Sequence, residues 1–254
     1  MSIFVTLVLT PHRFPGLSHI GLAIFLLDLL FFLVITLLIA LRFALYARTL
    51  RRTFTRPSEV LFVPTFLLSV AAIFANVDEY ARLFLSDEQR GVLGAGFMRV
   101  MFWGYLAVAF AVSVGQYHLL FTVKSKRRLT VSDMTPAWIL PISPVMLAGT
   151  LAAVVARGLE GAGEAMAVLC AGSAAQGLGF LVSVFFYSTY LSRLMAFGLP
   201  VQRPGMFGAV GPPSFTCSAI VGMAAEAKMG RAGVLAGVEG MDLQTLATGI
   251  RLLA

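Results

Sequence analysis

Residues 17–41 read LSHIGLAIFLLDLLFFLVITLLIAL, an apolar run whose single carboxylate is Asp28. About 20 helical residues cross the hydrocarbon core of a bilayer, so this run is long enough to span it. A segment in hydrocarbon must satisfy its own backbone hydrogen bonds, and a helix does so. The run therefore predicts a transmembrane helix, and it decides the class of the fold.

Runs of the same kind recur along the chain. The further predicted spans cover residues 60–77, 92–123, 136–156, 165–191 and 205–225, and residues 243–254 resemble the start of another helix. Hydrophobic residues make up 59% of the 254 residues and charged residues only 12%, against about 25% charged in a soluble domain. The sequence thus predicts an all-α, polytopic transmembrane helical bundle of about six complete spans in a single domain, with the lipid bilayer as its surroundings.

The net charge of +7 is distributed unevenly between the connections. Basic residues dominate the segments 42–57, 124–128 and 193–203, whereas the connections between them are acidic or mixed. Because basic connections favour the cytoplasmic side, these three are predicted to be cytoplasmic and both chain ends to lie opposite. The basic residues occupy loops and form no continuous stripe, which argues against a nucleic-acid partner.

Prolines occur in alternate predicted spans. The second contains Pro64, the fourth Pro141 and Pro144, and the sixth Pro212 and Pro213, while the first, third and fifth contain none. An internal proline removes a backbone hydrogen bond and kinks a helix. Freed backbone groups are tolerated where they are buried in protein or face a wet cavity. The pattern predicts three kinked helices around a central pathway; the alternative is that prolines are simply commoner in transmembrane helices.

Hydroxyl groups in these three spans are candidates for lining such a pathway. They belong to Thr65, Ser69, Ser143, Thr150, Ser214 and Thr216. A hydroxyl on a helix can instead donate to a carbonyl of its own helix, and the sequence leaves this alternative open.

Ionisable side chains inside spans are costly and therefore suggest function. Asp28 could couple transport to protons, although pairing with a neighbouring helix is the favoured interpretation. Arg99 lies near the outer end of the third span, where extension to the interface is favoured over an anion site. His118, near the other end of that span, is interpreted as interfacial in preference to a proton relay.

Motifs for chemistry are missing from the sequence. It contains no nucleotide-binding loop, metal-ligand spacing or hydrolase motif, so we expect no enzyme activity, no cofactor and no metal. Cys170 and Cys217 lie in apolar runs and are interpreted as buried free thiols. Ala171, Ala175 and Gly179 form a face of small residues that predicts close helix packing. That face also suits an alternative function, a membrane subunit that does not transport.

Two segments carry more specific information. Residues 135–144, TPAWILPISP, open the fourth span, and residues 203–216, RPGMFGAVGPPSFT, open the sixth. Together with Arg56 and Pro57 before the second span, they resemble the fungal malic-acid transporter branch of the tellurite-resistance/dicarboxylate transporter family. That family belongs with the slow, voltage-dependent anion channels and also includes sulfite efflux pumps.

The resemblance implies a ten-helix fold of five hairpins whose odd-numbered helices line a central pore. The six spans would be the second to seventh helices, and the proline-containing spans would be the inner ones. It also implies transport of small anions, with a C4-dicarboxylate such as malate favoured and sulfite or chloride as alternatives. The plasma membrane and a homo-trimer are the implied location and assembly.

The same resemblance implies that parts of the family fold have no counterpart in this chain. Most of the first helix and everything after the start of the eighth are expected to be missing. The family closes its pore with a phenylalanine on the ninth helix, to which no residue here corresponds. A truncated membrane protein without transport activity is therefore the remaining alternative.

Overall fold

The computed structural model describes residues 17–46, 61–84, 95–122, 130–159, 161–200 and 203–228, and these are helical, without strands. The α-helices are α1 (Leu17–Leu45), α2 (Pro64–Phe84), α3 (Ala95–Thr122), α4 (Ser143–Ala156), α5 (Ala162–Phe197) and α6 (Gly211–Lys228). Short 3₁₀ helices cover Val131–Asp133, Pro136–Ile142 and Arg203–Val210, and the last two continue directly into α4 and α6.

Five helical stretches in the described parts of the chain are long and apolar enough to cross a membrane. They comprise α1, α3, the continuous stretch Pro136–Ala156, α5 and the stretch Gly205–Ala224. The remaining helix, α2, contains Asp78, Glu79 and Arg82 in its last two turns, and these charges lower its hydropathy. The predicted fold class, an all-helical polytopic membrane protein, is confirmed.

Four helices extend past the apolar runs that predicted them. Helix α1 continues from residue 41 to Leu45, so Arg42 is helical and not part of a loop. Helix α2 runs from Pro64 to Phe84, whereas the predicted span covered 60–77. Helix α5 covers Ala162–Phe197 against a predicted 165–191, so Arg193 is helical and not part of a loop, and α6 ends at Lys228 against a predicted end at 225. Helices end where backbone hydrogen bonding ends, and a charged side chain near the interface does not interrupt that bonding. The predicted helix at 243–254 lies outside the described residues.

Helix α4 is the centre of the described bundle. Helices α2, α3, α5 and α6 all pack against it, and every residue from Pro141 to Gly149 is buried. Of the 18 most apolar consecutive residues in the stretch Pro136–Ala156, 83% are buried. The same fraction is 6% in α1 and 11% in the stretch Gly205–Ala224. The fourth predicted span is therefore central and the first peripheral, while the sixth packs against α4 but has few fully buried residues.

Glycines let α4 and α5 approach each other closely. A Cβ atom added to Gly172 would lie 2.3 Å from Cβ of Ala152, and one added to Gly179 would lie 2.3 Å from Cγ of Met146. Ala175 is buried in the same contact. The small face predicted on the fifth span therefore packs against α4, where a larger residue would separate the two backbones.

Both cysteines differ from their prediction. Cys170 on α5 and Cys217 on α6 are exposed in the described bundle. An apolar run in a membrane helix has a lipid-facing side as well as a buried side, so membership of the run does not determine burial.

Candidate anion pathway

Most of the five predicted kink prolines lie in the first turn of an α-helix and not in its interior. Pro64 is the first residue of α2, Pro144 the second of α4, and Pro212 and Pro213 the second and third of α6. Proline is favoured in the first turn of an α-helix, where its missing N–H has no helical partner to lose. Only Pro141 lies inside a helix, the 3₁₀ segment before α4. The predicted proline kinks are thus junctions between a 3₁₀ or turn segment and an α-helix.

Two carbonyls near the prolines before α4 accept hydrogen bonds from α3. Tyr117 donates its hydroxyl to the carbonyl of Trp138 at 3.1 Å, three residues before Pro141. Ser113 donates to the carbonyl of Pro141, three residues before Pro144. In a 3₁₀ helix the residue three positions later normally donates here, and proline has no N–H to do so. Side chains of α3 replace these missing donors.

The segment before α6 is satisfied in the same way by α5. Tyr187 donates its hydroxyl to the carbonyl of Ala209 at 2.6 Å, and Ala209 precedes Pro212 by three residues. In addition, Tyr105 on α3 donates to the carbonyl of Pro144 at 2.9 Å. The freed backbone groups are therefore used in contacts between helices. The sequence contained a usable signal, because tyrosines of the proline-free spans are natural donors to such carbonyls.

The candidate lining hydroxyls mostly bond within their own segments. Thr65, Ser69, Ser143, Ser214 and Thr216 each donate to a backbone carbonyl three or four residues earlier. The alternative that the sequence left open is therefore the observed arrangement for these five. Thr150 differs, since its Oγ1 is buried and has no hydrogen-bond partner among the described residues.

A cleft of about 1070 Å³ lies between α1 and α2 and reaches residues of α3, α4 and α6. We call it the α1–α2 cleft. Of the predicted site residues it brings together Asp28, Thr65 and Ser69, and it adds Arg42. Its remaining lining is mainly apolar; Phe32 and Phe66 stack across it with ring centroids 5.7 Å apart. The other predicted site residues lie outside this cleft: Pro64, Arg99 and those from Pro141 to Thr216.

The two predicted intramembrane charges have different environments. Asp28 is exposed in the α1–α2 cleft, and the described residues form no ion pair with it, so the predicted partner helix is not seen there. Arg99 forms an ion pair with Glu164 at the start of α5, and both side chains are about half exposed. Arg99 thus joins α3 to α5 instead of extending alone to the interface. His118 is exposed near the end of α3, as an interfacial residue would be.

Further ion pairs lie at the same end of the bundle as Arg99. Arg82 pairs with Asp78 one turn earlier in α2, with Nε and Oδ2 2.8 Å apart. Arg157, just after α4, pairs with Glu79 at 3.5 Å between Nη1 and Oε2. By the charge pattern this end is the non-cytoplasmic one. The described charges at this end are largely paired, whereas the connections at the other end are basic in sequence.

At the predicted cytoplasmic end, the 3₁₀ helices before α4 and α6 pack against each other. Arg193, near the end of α5, is 8% exposed and donates to the carbonyls of Ser132 and Gly198. Gly198, the residue directly after α5, has a φ of 71°, a conformation that favours glycine at a helix end. Arg193 is thus a structural link at this end and not a free cation for anions. Within the described ranges, histidine, cysteine, aspartate and glutamate side chains form no group of three or more that could hold a metal ion.

Apolar helices that cross a membrane, with paired charges at one end and basic connections at the other, define an integral membrane protein. The chain belongs to the voltage-dependent anion channel family, which matches residues 1–252. The family resemblance inferred from the two proline-rich segments is therefore confirmed. No solved structure matches the chain.

The names of individual relatives refer to different anions. A Schizosaccharomyces pombe protein named "Putative malic acid transport protein" is 34% identical over 227 residues, which cover 89% of this chain and 51% of that protein. The "Malic acid transport protein" of the same yeast is 30% identical over 234 residues, 91% of this chain and 51% of the relative. The sulfite efflux pump SSU1 of Trichophyton rubrum is 26% identical over 203 residues, 80% and 52% of the two proteins. The chain spans about half the length of each relative.

Proposed function

We propose that this chain contributes to the transmembrane transport of small organic anions, with a C4-dicarboxylate such as malate as the substrate. The observation that carries the proposal is the similarity to malic acid transport proteins along nearly the whole chain, at up to 34% identity over 89% of its residues. An integral membrane bundle with a basic side is consistent with this function. The plasma membrane, the cytoplasmic position of segments 42–57, 124–128 and 193–203, and a homo-trimer belong to the same proposal.

The electrostatics of the predicted cytoplasmic end support anion entry there. Helices α2, α4 and α6 all begin at that end, and the start of a helix carries a partial positive charge. The basic connections precede these helices in the sequence, and their charge would raise the local concentration of anions. Freed carbonyls would have the opposite effect, because their oxygens carry partial negative charge. Their use as acceptors for Tyr117, Ser113 and Tyr187 removes that obstacle.

The proposed pathway follows the inner helices α2, α4 and α6. Helix α4 contacts both of the others, as neighbours in a ring of inner helices would. The α1–α2 cleft supplies a polar strip of Thr65 and Ser69 with Arg42 on its wall. Asp28 in the same cleft would repel an anion when ionised and not when protonated, which is the chemistry that proton-coupled uptake requires. Passive passage is the alternative mode.

Sulfite is a second candidate substrate, because sulfite efflux pumps are among the relatives, at 26% identity. Chloride is a third possibility within the family. A chain that spans about half of its relatives' length could also act without transporting by itself. These candidates are separated by the same assay, described next.

Uptake of radiolabelled malate in yeast cells that lack their own malate transporter tests the proposal. This chain is compared with an empty vector and with the S. pombe malic acid transport protein as a positive control. We expect uptake above the vector, reduced by unlabelled malate more than by sulfite or chloride. Uptake at the vector level, with the positive control active and the chain present in the membrane, would overturn transport by this chain.

Accessibility of the α1–α2 cleft provides a test that does not depend on the substrate. In a Cys170→Ala, Cys217→Ala background, Ser69→Cys in the cleft should react with a charged, water-soluble thiol reagent. Leu38→Cys on α1, whose native side chain is 58% exposed and lies outside the cleft lining, is the matched control and should react slowly in lipid. Equal reaction at the two positions would remove the cleft from the proposed pathway.

A further inference from the structure

A buried glutamine connects the middle of α5 to the start of α6. Gln176 is 5% exposed and donates from Nε2 to Oγ1 of Thr216 at 2.8 Å. Thr216 in turn donates from Oγ1 to the carbonyl of Pro212 at 2.9 Å. The two bonds form a chain from α5 to the first turn of α6. Thr216 is thereby directed towards α5 and held there.

Helix α4 leaves room for this amide at one glycine. A Cβ atom added to Gly149 would lie 2.8 Å from Cβ of Gln176 and 3.0 Å from its Oε1. It would also lie 3.2 Å from Cβ of Ala219 on α6. Gly149 therefore faces both α5 and α6 at the level of the amide, and any side chain there would displace Gln176.

The amide is poorly explained as a stabilising contact alone. Its Oε1 is buried and accepts no hydrogen bond from the described residues. An unpaired acceptor in a membrane interior costs free energy, whereas an apolar side chain of similar size would fill the same space without that cost. Unlike an apolar side chain, the amide of Gln176 donates a directed hydrogen bond to Thr216.

We propose that Gln176 is a positioning residue for anion passage: through Thr216 it holds the first turn of α6 in place against α5, in the space that Gly149 provides. This inference rests on the proposed transport function. Helix α6 packs mainly against α4 and contacts α5 much less, so its position relative to α5 depends on few contacts. The bond from Gln176 fixes the part of α6 that carries Pro212 and Pro213.

Kinetics of malate uptake distinguish positioning from packing. Gln176→Leu removes the donor, Thr216→Val removes the acceptor, and Thr216→Ser keeps it. We expect each of the first two variants to lower the maximal uptake rate several-fold with little change in KM, and Thr216→Ser to retain the wild-type rate. Because both act through one bond, the double variant should lose no more than either single variant. Additive losses, or a normal rate in Gln176→Leu, would overturn the proposal.

A cross-linking measurement reports the α5–α6 contact without transport. Oγ of Ser173 lies 3.0 Å from Sδ of Met223 on the neighbouring helix. In the cysteine-free background, Ser173→Cys and Met223→Cys should therefore be joined by a short bifunctional thiol reagent. Adding Gln176→Leu or Gly149→Ala should lower the yield several-fold. Gly177→Ala is the matched control, since an added Cβ meets nothing within 4 Å there, and its yield should be unchanged.

The cross-link yield tests the positioning inference, and malate uptake by the wild-type chain tests the transport proposal. An unchanged cross-link yield in Gln176→Leu would overturn the positioning inference, whatever the uptake rate. A wild-type chain that moves no malate would instead overturn the transport proposal, and a lowered yield in Gln176→Leu would still support the role of Gln176 in holding α6. If Gly149→Ala does not accumulate in the membrane, Gln176→Leu and Thr216→Val carry the test.

Discussion

Single hydroxyl groups explain how prolines are accommodated in this bundle. Tyr117 and Ser113 contact the carbonyls of Trp138 and Pro141, and Tyr187 contacts the carbonyl of Ala209. Unpaired backbone groups in hydrocarbon cost several kcal/mol each. These bonds satisfy the groups inside protein, so no wet cavity is needed beside the prolines. The prolines of α4 and α6 therefore do not by themselves indicate a water-filled pathway.

Removal of one of these hydroxyls should destabilise the fold measurably. Tyr187→Phe leaves the carbonyl of Ala209 without its side-chain donor. Hydrogen bonds between membrane helices contribute about 0.6 kcal/mol on average and up to about 1.7 kcal/mol, and we expect a loss of unfolding free energy in this range. Unfolding in mixed detergent micelles measures it. Tyr46→Phe, at an exposed residue after α1, is the control, and an equal effect there would contradict the assignment.

The buried and exposed arginines should respond differently to substitution. Arg193→Gln removes a buried group that donates to two carbonyls, and we expect a loss of about 2 kcal/mol in unfolding free energy. Arg99→Gln breaks an exposed ion pair and should cost less than about 1 kcal/mol. The same detergent unfolding series compares them. A larger loss for Arg99→Gln would mean that its pair with Glu164 matters more than its exposure indicates.

At the level of helices, the closest contact is between α4 and α5. Their glycines are not interchangeable, because only some of them face another helix. Gly172→Ala would place Cβ 2.3 Å from Cβ of Ala152, so the helices would have to separate, at a cost of about 1–3 kcal/mol. Gly177→Ala meets nothing within 4 Å and should be neutral or slightly stabilising. Thermal unfolding in detergent checks both, and similar melting temperatures would contradict the packing.

At the level of the whole molecule, the charge pattern predicts one orientation in the membrane. In a Cys170→Ala, Cys217→Ala background, Lys126→Cys should react with an impermeant maleimide only after the cytoplasmic face is exposed. Asp87→Cys, in the connection after α2, should react from the opposite face in intact cells. The reason is the bias of basic connections towards the cytoplasm. The reverse labelling pattern would invert the topology, and with it the side at which α2, α4 and α6 begin.

Long apolar runs such as residues 17–41 determined the fold class, because a segment in hydrocarbon must satisfy its own backbone hydrogen bonds as a helix. The two proline-rich segments identified the family, because each is a short, contiguous sequence pattern that can be read without the structure. Helix ends were less predictable, as Arg42 shows, since backbone hydrogen bonding continues past the last apolar residue.

Tertiary structure alone decided which polar groups meet. Tyr187 and Ala209 are 22 positions apart and Ser113 and Pro141 are 28 apart, and Gln176 reaches Thr216 across 40 positions. No local pattern specifies these pairs, because they depend on which faces of separate helices turn towards each other. The sequence by itself determined that membrane helices form and where proline interrupts them. Packing decided that the interrupted backbone is bonded to neighbouring helices, since in hydrocarbon only another part of the protein can supply the missing donors.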